Sequence, residues 1–188
     1  MRFIDIGVNL TDPVFRGIYR GKRRHADDLE HVLQRATVAG VEKMIITAGS
    51  VTESEQALEI AKAHGLYSTV GCHPTRCQDF ERHPDGPEGY YMQLMNLVMS
   101  EKAKGKVVAI GECGLDYDRL EFCPKEVQLR YFELQFDLAA AAGLPMFLHN
   151  RNTGGDFVDI LSMCVIPYQD CLGFPVPLKS GTRTYKLP

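Results

Sequence analysis

The chain has 188 residues, 45% of them hydrophobic, enough for one domain with a real core. Its formal net charge of −3 excludes a global positive field that would draw it to nucleic acid, so a role on DNA has to rest on a local basic patch or a metal. No stretch of about 20 apolar residues offers a membrane span, and the opening MRFIDIGVNL lacks the long apolar run of a signal peptide. The protein is therefore expected inside the cell. There its six cysteines (72, 77, 113, 123, 164, 171) are expected as reduced thiols. None is paired as CxxC, which argues against a zinc knuckle.

Phe3–Leu10 (FIDIGVNL) reads as the first strand. The basic run Arg16–Arg24 (RGIYRGKRR) follows and is expected as a solvated surface loop, with a nucleic-acid contact as the alternative. Over Ala26–Ala39, Leu29, Val32, Leu33 and Ala36 recur at helical spacing, and Gly40 is a stop signal. Val41–Ala48 (VEKMIITA) is the second strand. Thr52–His64 is the second helix, capped from Ser50, Thr52 or Ser54 and closed by Gly65. Leu66–Cys72 (LYSTVGC) is the third strand. A loop rich in Pro and charge leads to a third helix, Glu88–Lys104, with Tyr91, Leu94, Leu97 and Val98 on one side. Val107–Glu112 (VVAIGE) is the fourth strand, and its apolar run suits a strand covered on both faces. Lys125–Ala142 is a long fourth helix with Leu129, Phe132, Phe136 and Ala139–Ala140 facing inward, closed by Gly143. Leu144–His149 (LPMFLH) is the fifth strand, and Phe157–Met163 starts a fifth helix.

Five consecutive βα units imply a parallel sheet with right-handed crossovers. Such a sheet is either open and doubly wound or closed into a barrel. The open form would be favoured by GxGxxG after the first strand, but residues 5–10 read DIGVNL. Polar residues gather instead where strands end: Asp5 and Asn9, Thr47, His73, Glu112 with Asp116, and His149 with Arg151. Side chains from several strand ends meeting on one rim make a TIM-type (β/α)8 active site. The fold class is thus α/β, a TIM-type (β/α)8 barrel of which only about five βα units are present, since a closed barrel needs about 250 residues. After Met163 the periodicity stops, and 164–188 carries four prolines. The chain is divided into a partial barrel domain, 1–163, and an irregular tail, 164–188, of the kind an alternative exon or a disordered terminus would give.

Glu112 ends an apolar strand, where a carboxylate is costly unless paired or bound to a cation. GECGLD adds Asp116 four residues on. Hard divalent ions take such oxygens, and a bridging Glu can hold two ions against a phosphodiester; the alternative is a Glu paired with Arg or Lys across the rim. His149 ends the next strand and is a ready metal ligand if neutral, or otherwise a satisfied core histidine. Adjacent parallel strands lie about 4.8 Å apart, so Glu112 and His149 can share one ion. His73, in GCHPT, is suited to donate to a phosphate oxygen or move a proton, or else to stabilise a turn. The planar fork of Arg151 matches phosphate oxygens, with a surface ion pair as the alternative. Asn9 stands where many metal hydrolases of this barrel type have HxH, and suits a hydrogen bond better than metal ligation. A Cys–His nucleophile from Cys72 or Cys113 is disfavoured, because consecutive strand residues point to opposite faces.

FIDIGVNLTDP, TVGCHPTR, VVAIGECGLDYDR and PMFLHNRN together resemble the successive signatures of the TatD family of metal-dependent deoxyribonucleases, in order and at compatible spacing over about residues 1–161. FRGIYRGKRRH is similar to the eukaryotic TatD domain-containing branch. The resemblance implies an amidohydrolase-like (β/α)8 barrel hydrolysing DNA phosphodiesters with divalent metal ions, Mg, Mn or Zn, two per complete site. It implies Glu112 as the bridging and catalytic carboxylate, His149 as a metal ligand, His73 as a second catalytic group, and Arg151 with Asn9 on the substrate. It also implies DNA, held by its backbone, as partner, no membrane, and the nucleus ahead of the cytoplasm; the oligomeric state is open. The family's later ligands, a histidine after strand six and an aspartate after strand eight, have no counterpart here. The expectation is therefore a shortened, impaired deoxyribonuclease. The rivals are a barrel hydrolase acting on a small amide or ester and a non-catalytic product.

Overall fold

The structure, a computed structural model, describes residues 1–165; the tail expected over 164–188 lies outside them except for its first two residues. In chain order the elements are β1 (Phe3–Val8), a hairpin of β2 (Ile18–Tyr19) and β3 (Lys22–Arg23), α1 (Leu29–Val38), β4 (Val41–Ile46), α2 (Val51–Ala63) and β5 (Tyr67–Val70). There follow α3 (Gln78–Arg82), α4 (Gly86–Lys102), β6 (Val107–Asp116), α5 (Lys125–Ala142), β7 (Met146–Arg151) and α6 (Asp156–Val165). The main sheet runs β1-β4-β5-β6-β7, every pair parallel. Strands that follow one another in the chain, hairpin aside, are neighbours in the sheet. Among the described residues no reversal of order makes the crevice of a doubly wound fold, and the arrangement is a partial TIM-type barrel.

The helices pack on one side of this sheet. Leu58 of α2, Val70 of β5, Phe80 of α3, Leu94 and Val98 of α4, Ile110 of β6 and Tyr131 and Leu138 of α5 form the largest buried cluster. Phe80 stacks on Tyr131 with centroids 4.1 Å apart. Each such side chain contributes about 1.5–3 kcal/mol by leaving water. A second cluster joins Leu29, Ile46, Ala57 and Ala61, and a third joins Leu115, Phe132, Phe136, Phe157 and Ile160. Cys164, in α6, packs on this third cluster. Among the described residues no helix is long and apolar enough to cross a membrane.

Several elements depart from the sequence reading. The basic run forms the β2–β3 hairpin, tied at its base by Arg16 donating to Asp27 at 2.8 Å. The loop before α4 contains α3. On α5 the inward stripe is centred on Gln128, Tyr131, Phe132, Gln135 and Leu138, whereas Ala140 is exposed. Apolar spacing alone misplaces this face because two of its positions are glutamines. Strand β6 runs on past Glu112 to Asp116 because β7 supplies backbone partners as far as Arg151.

Candidate metal centre

The end of β6 is built for Glu112 to leave the strand pattern. Gly111 pairs with Phe147 and Cys113 with Leu148, so Glu112 is an extra residue in the β6 register. Such a bulge re-aims its side chain. Its backbone N–H donates instead to Ala48 O, just past β4, at 2.7 Å. Glycine is required on either side: Gly111 and Gly114 have φ of +130° and +145°, and an added Cβ would sit 2.2 Å from Phe147 O and 2.0 Å from His149 O. The GxxG within GECGLD is thus a packing requirement of β6 against β7.

Glu112 Oε1 lies 2.8 Å from His149 Nδ1 and 4.0 Å from His73 Nε2. The two imidazoles meet edge to face, centroids 4.6 Å apart. One ligand atom from each of the three residues falls within 4.8 Å of the other two, close enough for one ion. Behind them Asp116 is fully buried. Its Oδ2 takes the other ring nitrogen, His149 Nε2, at 3.1 Å, while Oδ1 has no hydrogen-bond partner. A carboxylate gripping the far nitrogen of a histidine fixes ring orientation and tautomer for ligation at the near one.

The hydrogen bond between His149 Nδ1 and Glu112 holds the Glu112 carboxyl below its ordinary value against the opposing effect of burial, and a cation between the two would take the place of that proton. Burial pushes His73 down to about 4, only partly offset by the Glu112 charge, so its ring is neutral at physiological pH. Thr75 N–H donates to His73 Nδ1 at 3.2 Å, which assigns the remaining ring proton to Nε2 and aims it at Glu112. An N–H pointing inward makes His73 a donor, with Glu112 and His149 the better-suited ligands. The Glu112 carboxylate and the His149 ring nitrogen, with His73 beside them and all three within 4.8 Å of one another, are a donor set that fits a divalent cation.

The strand exits are pinned from α5. Gln135 accepts from Cys72 N at 2.7 Å and donates to Cys72 O at 3.0 Å, immediately before His73. Gln128 does the same for Asp116, at 2.8 and 3.0 Å. Seven residues apart, the two glutamines lie on one face of α5.

Glu112, His73, Asn9 and Thr47 line one cavity of about 350 Å³. Arg151 stands beside it, Nη1 3.5 Å from Asp116 Oδ2, so its head group is in the ion pair the sequence left as its alternative. Asp5 does not join them: it lies within β1, exposed, accepting from Gly7 N. Cys113 is wholly buried with its thiol pushed up by desolvation, which removes it as a nucleophile. Sequence reasoning misses Glu53, Thr75, Arg76 and Arg119, which line the cavity too. For Glu53 a signal exists, since Ser50-x-x-Glu53 has the capping-box sequence: Ser50 Oγ accepts from Glu53 N, while the Glu53 carboxylate reaches one residue further back, accepting from Gly49 N, and also from Thr11.

Comparison with known proteins places this geometry. The chain is 52% identical over 162 residues to a deoxyribonuclease Tat-D of Schizosaccharomyces pombe, covering 86% of this chain and 52% of that protein. It is 37% identical to a 3'-5' ssDNA/RNA exonuclease TatD of Enterobacter lignolyticus, covering 95% and 60%. The chain thus spans roughly half the length of the curated relatives it matches. Among solved structures, it superposes on an uncharacterized amidohydrolase from Saccharomyces cerevisiae with a TM-score of 0.82 at 34% identity, over 88% of this chain and 52% of the other. A TatD-family hydrolase from Entamoeba histolytica gives 0.79 at 38%, over 88% and 55%. Residues 4–170 match the sequence model of the TatD related DNases, and the chain belongs to that family.

Proposed function

We propose that this site hydrolyses phosphodiester bonds of DNA with the help of divalent cations. The observation that carries the reading is the convergence of Glu112, His149 and His73 within 4.8 Å on one rim, with Asp116 buried behind His149. Relatives named as a deoxyribonuclease and as a single-strand DNA/RNA exonuclease support it. Glu112 would bridge two ions and His149 would hold one of them. Bound Mg, Mn or Zn would supply an activated water and charge stabilisation at the phosphate. The chain's own groups do the rest. His73 donates its Nε2 proton toward a phosphate oxygen. Arg151, swinging from Asp116, offers a fork to the phosphate, and Asn9 offers an amide to the substrate from the cavity it lines. The eukaryotic-branch resemblance supports a nuclear location, and imaging of a tagged chain tests it.

The test is degradation of linear single-stranded DNA by the purified chain in Mg²⁺ or Mn²⁺, beside Glu112→Ala. Loss of all metal-dependent degradation in the variant is expected. Equal rates in variant and wild type would overturn the reading.

A further inference from the structure

A second cavity, of about 390 Å³, adjoins the metal centre, and Thr75, Arg76 and Arg119 line both spaces. Arg82 and Phe122 complete its outer part, with Asp79 as its one carboxylate. Arg119 Nε also faces the buried Asp116 Oδ2 at 3.9 Å, so three guanidinium groups stand against two carboxylates, a local positive excess on a chain whose net charge is −3. All three arginines are exposed, and Phe122 keeps 58% of its surface in water. An exposed phenylalanine beside guanidinium groups puts an aromatic face and cations in one groove. It is held there by structure: Phe122 N–H donates to Arg119 O at 3.1 Å in a tight turn, and the next residue, Cys123, is fully buried. Arg82 is steadied by a hydrogen bond to Gln78 one turn earlier.

We infer that this groove is a track for single-stranded nucleic acid leading into the metal centre, with Phe122 as the platform on which an unpaired base stacks. Arg76, Arg82 and Arg119 hold backbone phosphates along it. Cationic grooves with exposed aromatics bind single strands in this way, because every base presents a π-face and every nucleotide a phosphate. A duplex keeps its bases stacked on one another and leaves Phe122 without a partner. The inference rests on the phosphodiesterase reading above and adds the path of the strand and the residues that hold it.

The test uses the 188-residue chain in EDTA, so that nothing is cleaved, with fluorescence anisotropy of a labelled ten-residue oligothymidylate. Phe122→Ala is expected to weaken binding about tenfold. Arg82→Gln is expected to reduce the slope of log affinity against log salt by about 0.7, the loss of one phosphate contact to a single strand. A duplex of equal length should bind more weakly and ignore Phe122→Ala. Thermal unfolding of both variants shows that they fold. Unchanged oligonucleotide affinity in both, or duplex binding as tight as single-strand binding, would overturn the track. Manganese-dependent hydrolysis of bis(p-nitrophenyl) phosphate by the wild-type chain reports on the metal centre alone. Hydrolysis without any dependence of strand binding on Phe122 or Arg82 sinks the track and leaves the hydrolase reading standing. Phe122-dependent strand binding without hydrolysis does the reverse.

Discussion

Glu101, at the end of α4, is buried, and both Lys62 and Lys104 donate to its Oε1 at 2.9 Å. The hydrogen bond from Lys62 is the main reason its carboxyl lies below the ordinary value. A carboxyl whose value is depressed by folding stabilises the fold at pH above its unfolded value, and that stabilisation fades as pH falls through the native one. Glu101→Gln should therefore lower stability at pH 7 by about 1 kcal/mol, a modest figure because both lysines are half exposed and screened. In thermal unfolding the gap between variant and wild type should close with acidification; a gap independent of pH would contradict this. At the site, Asp116 acts through His149, which it orients from behind. Asp116→Asn keeps the shape and removes the charge. It should weaken Mn²⁺ binding by about 10–100-fold, read by calorimetry. Both carboxylates could be seen in the sequence, but only Asp116 drew attention there. Glu101's lysines come from α2 and from the turn after α4, and nothing in its own neighbourhood announces the first of them.

Helix α5 is the element on which strand ends are aligned. Its two buried glutamines hold the peptide groups of Cys72 and Asp116, so the exits toward His73 and from Glu112 keep fixed positions relative to one helix. Gln135→Leu gains apolar surface but strands a buried N–H and C=O. It should cost about 2 kcal/mol, measurable by urea unfolding. Gln128→Leu should in addition weaken Mn²⁺ binding, since Asp116 loses its backbone anchor. A neutral or stabilising Gln135→Leu would show that Cys72 finds water instead. Helical period identifies α5 from sequence, but it ranks Gln128 and Gln135 with the solvent face. Polar side chains that serve a buried neighbour break the apolar stripe they belong to.

At the scale of the whole molecule, β1 and β7 are the two edges of the main sheet among the described residues. On β1, Phe3, Ile4 and Ile6 are 46%, 61% and 59% exposed. Open edges bearing apolar side chains pair readily with other copies. The purified chain should bind an anilinonaphthalene dye and self-associate as concentration rises, as seen by sedimentation, and Ile4→Lys with Ile6→Lys should reduce both. A monomer that ignores the dye would refute this. Among the described residues two groups, Glu112 and His149, are oriented as ligands, where a catalytic ion generally takes three or more. Hydrolysis by this chain is therefore expected at more than about tenfold below that of a relative of full length.

Strand and helix order, the parallel sheet and the pairing of Glu112 with His149 were legible in the sequence, because apolar period and glycine stops are local properties. The same local signals place both residues at the ends of consecutive strands, which parallel pairing brings side by side. The rest depended on tertiary structure. The bulge that turns Glu112 inward needs β7 beside β6. The proton on His73 Nε2 is set by Thr75, and the ring is kept neutral by burial. The groove of Arg76, Arg82, Arg119 and Phe122 gathers residues from two separate segments of the chain. Orientation, desolvation and distance between remote residues are properties of packing, and no window of sequence contains them.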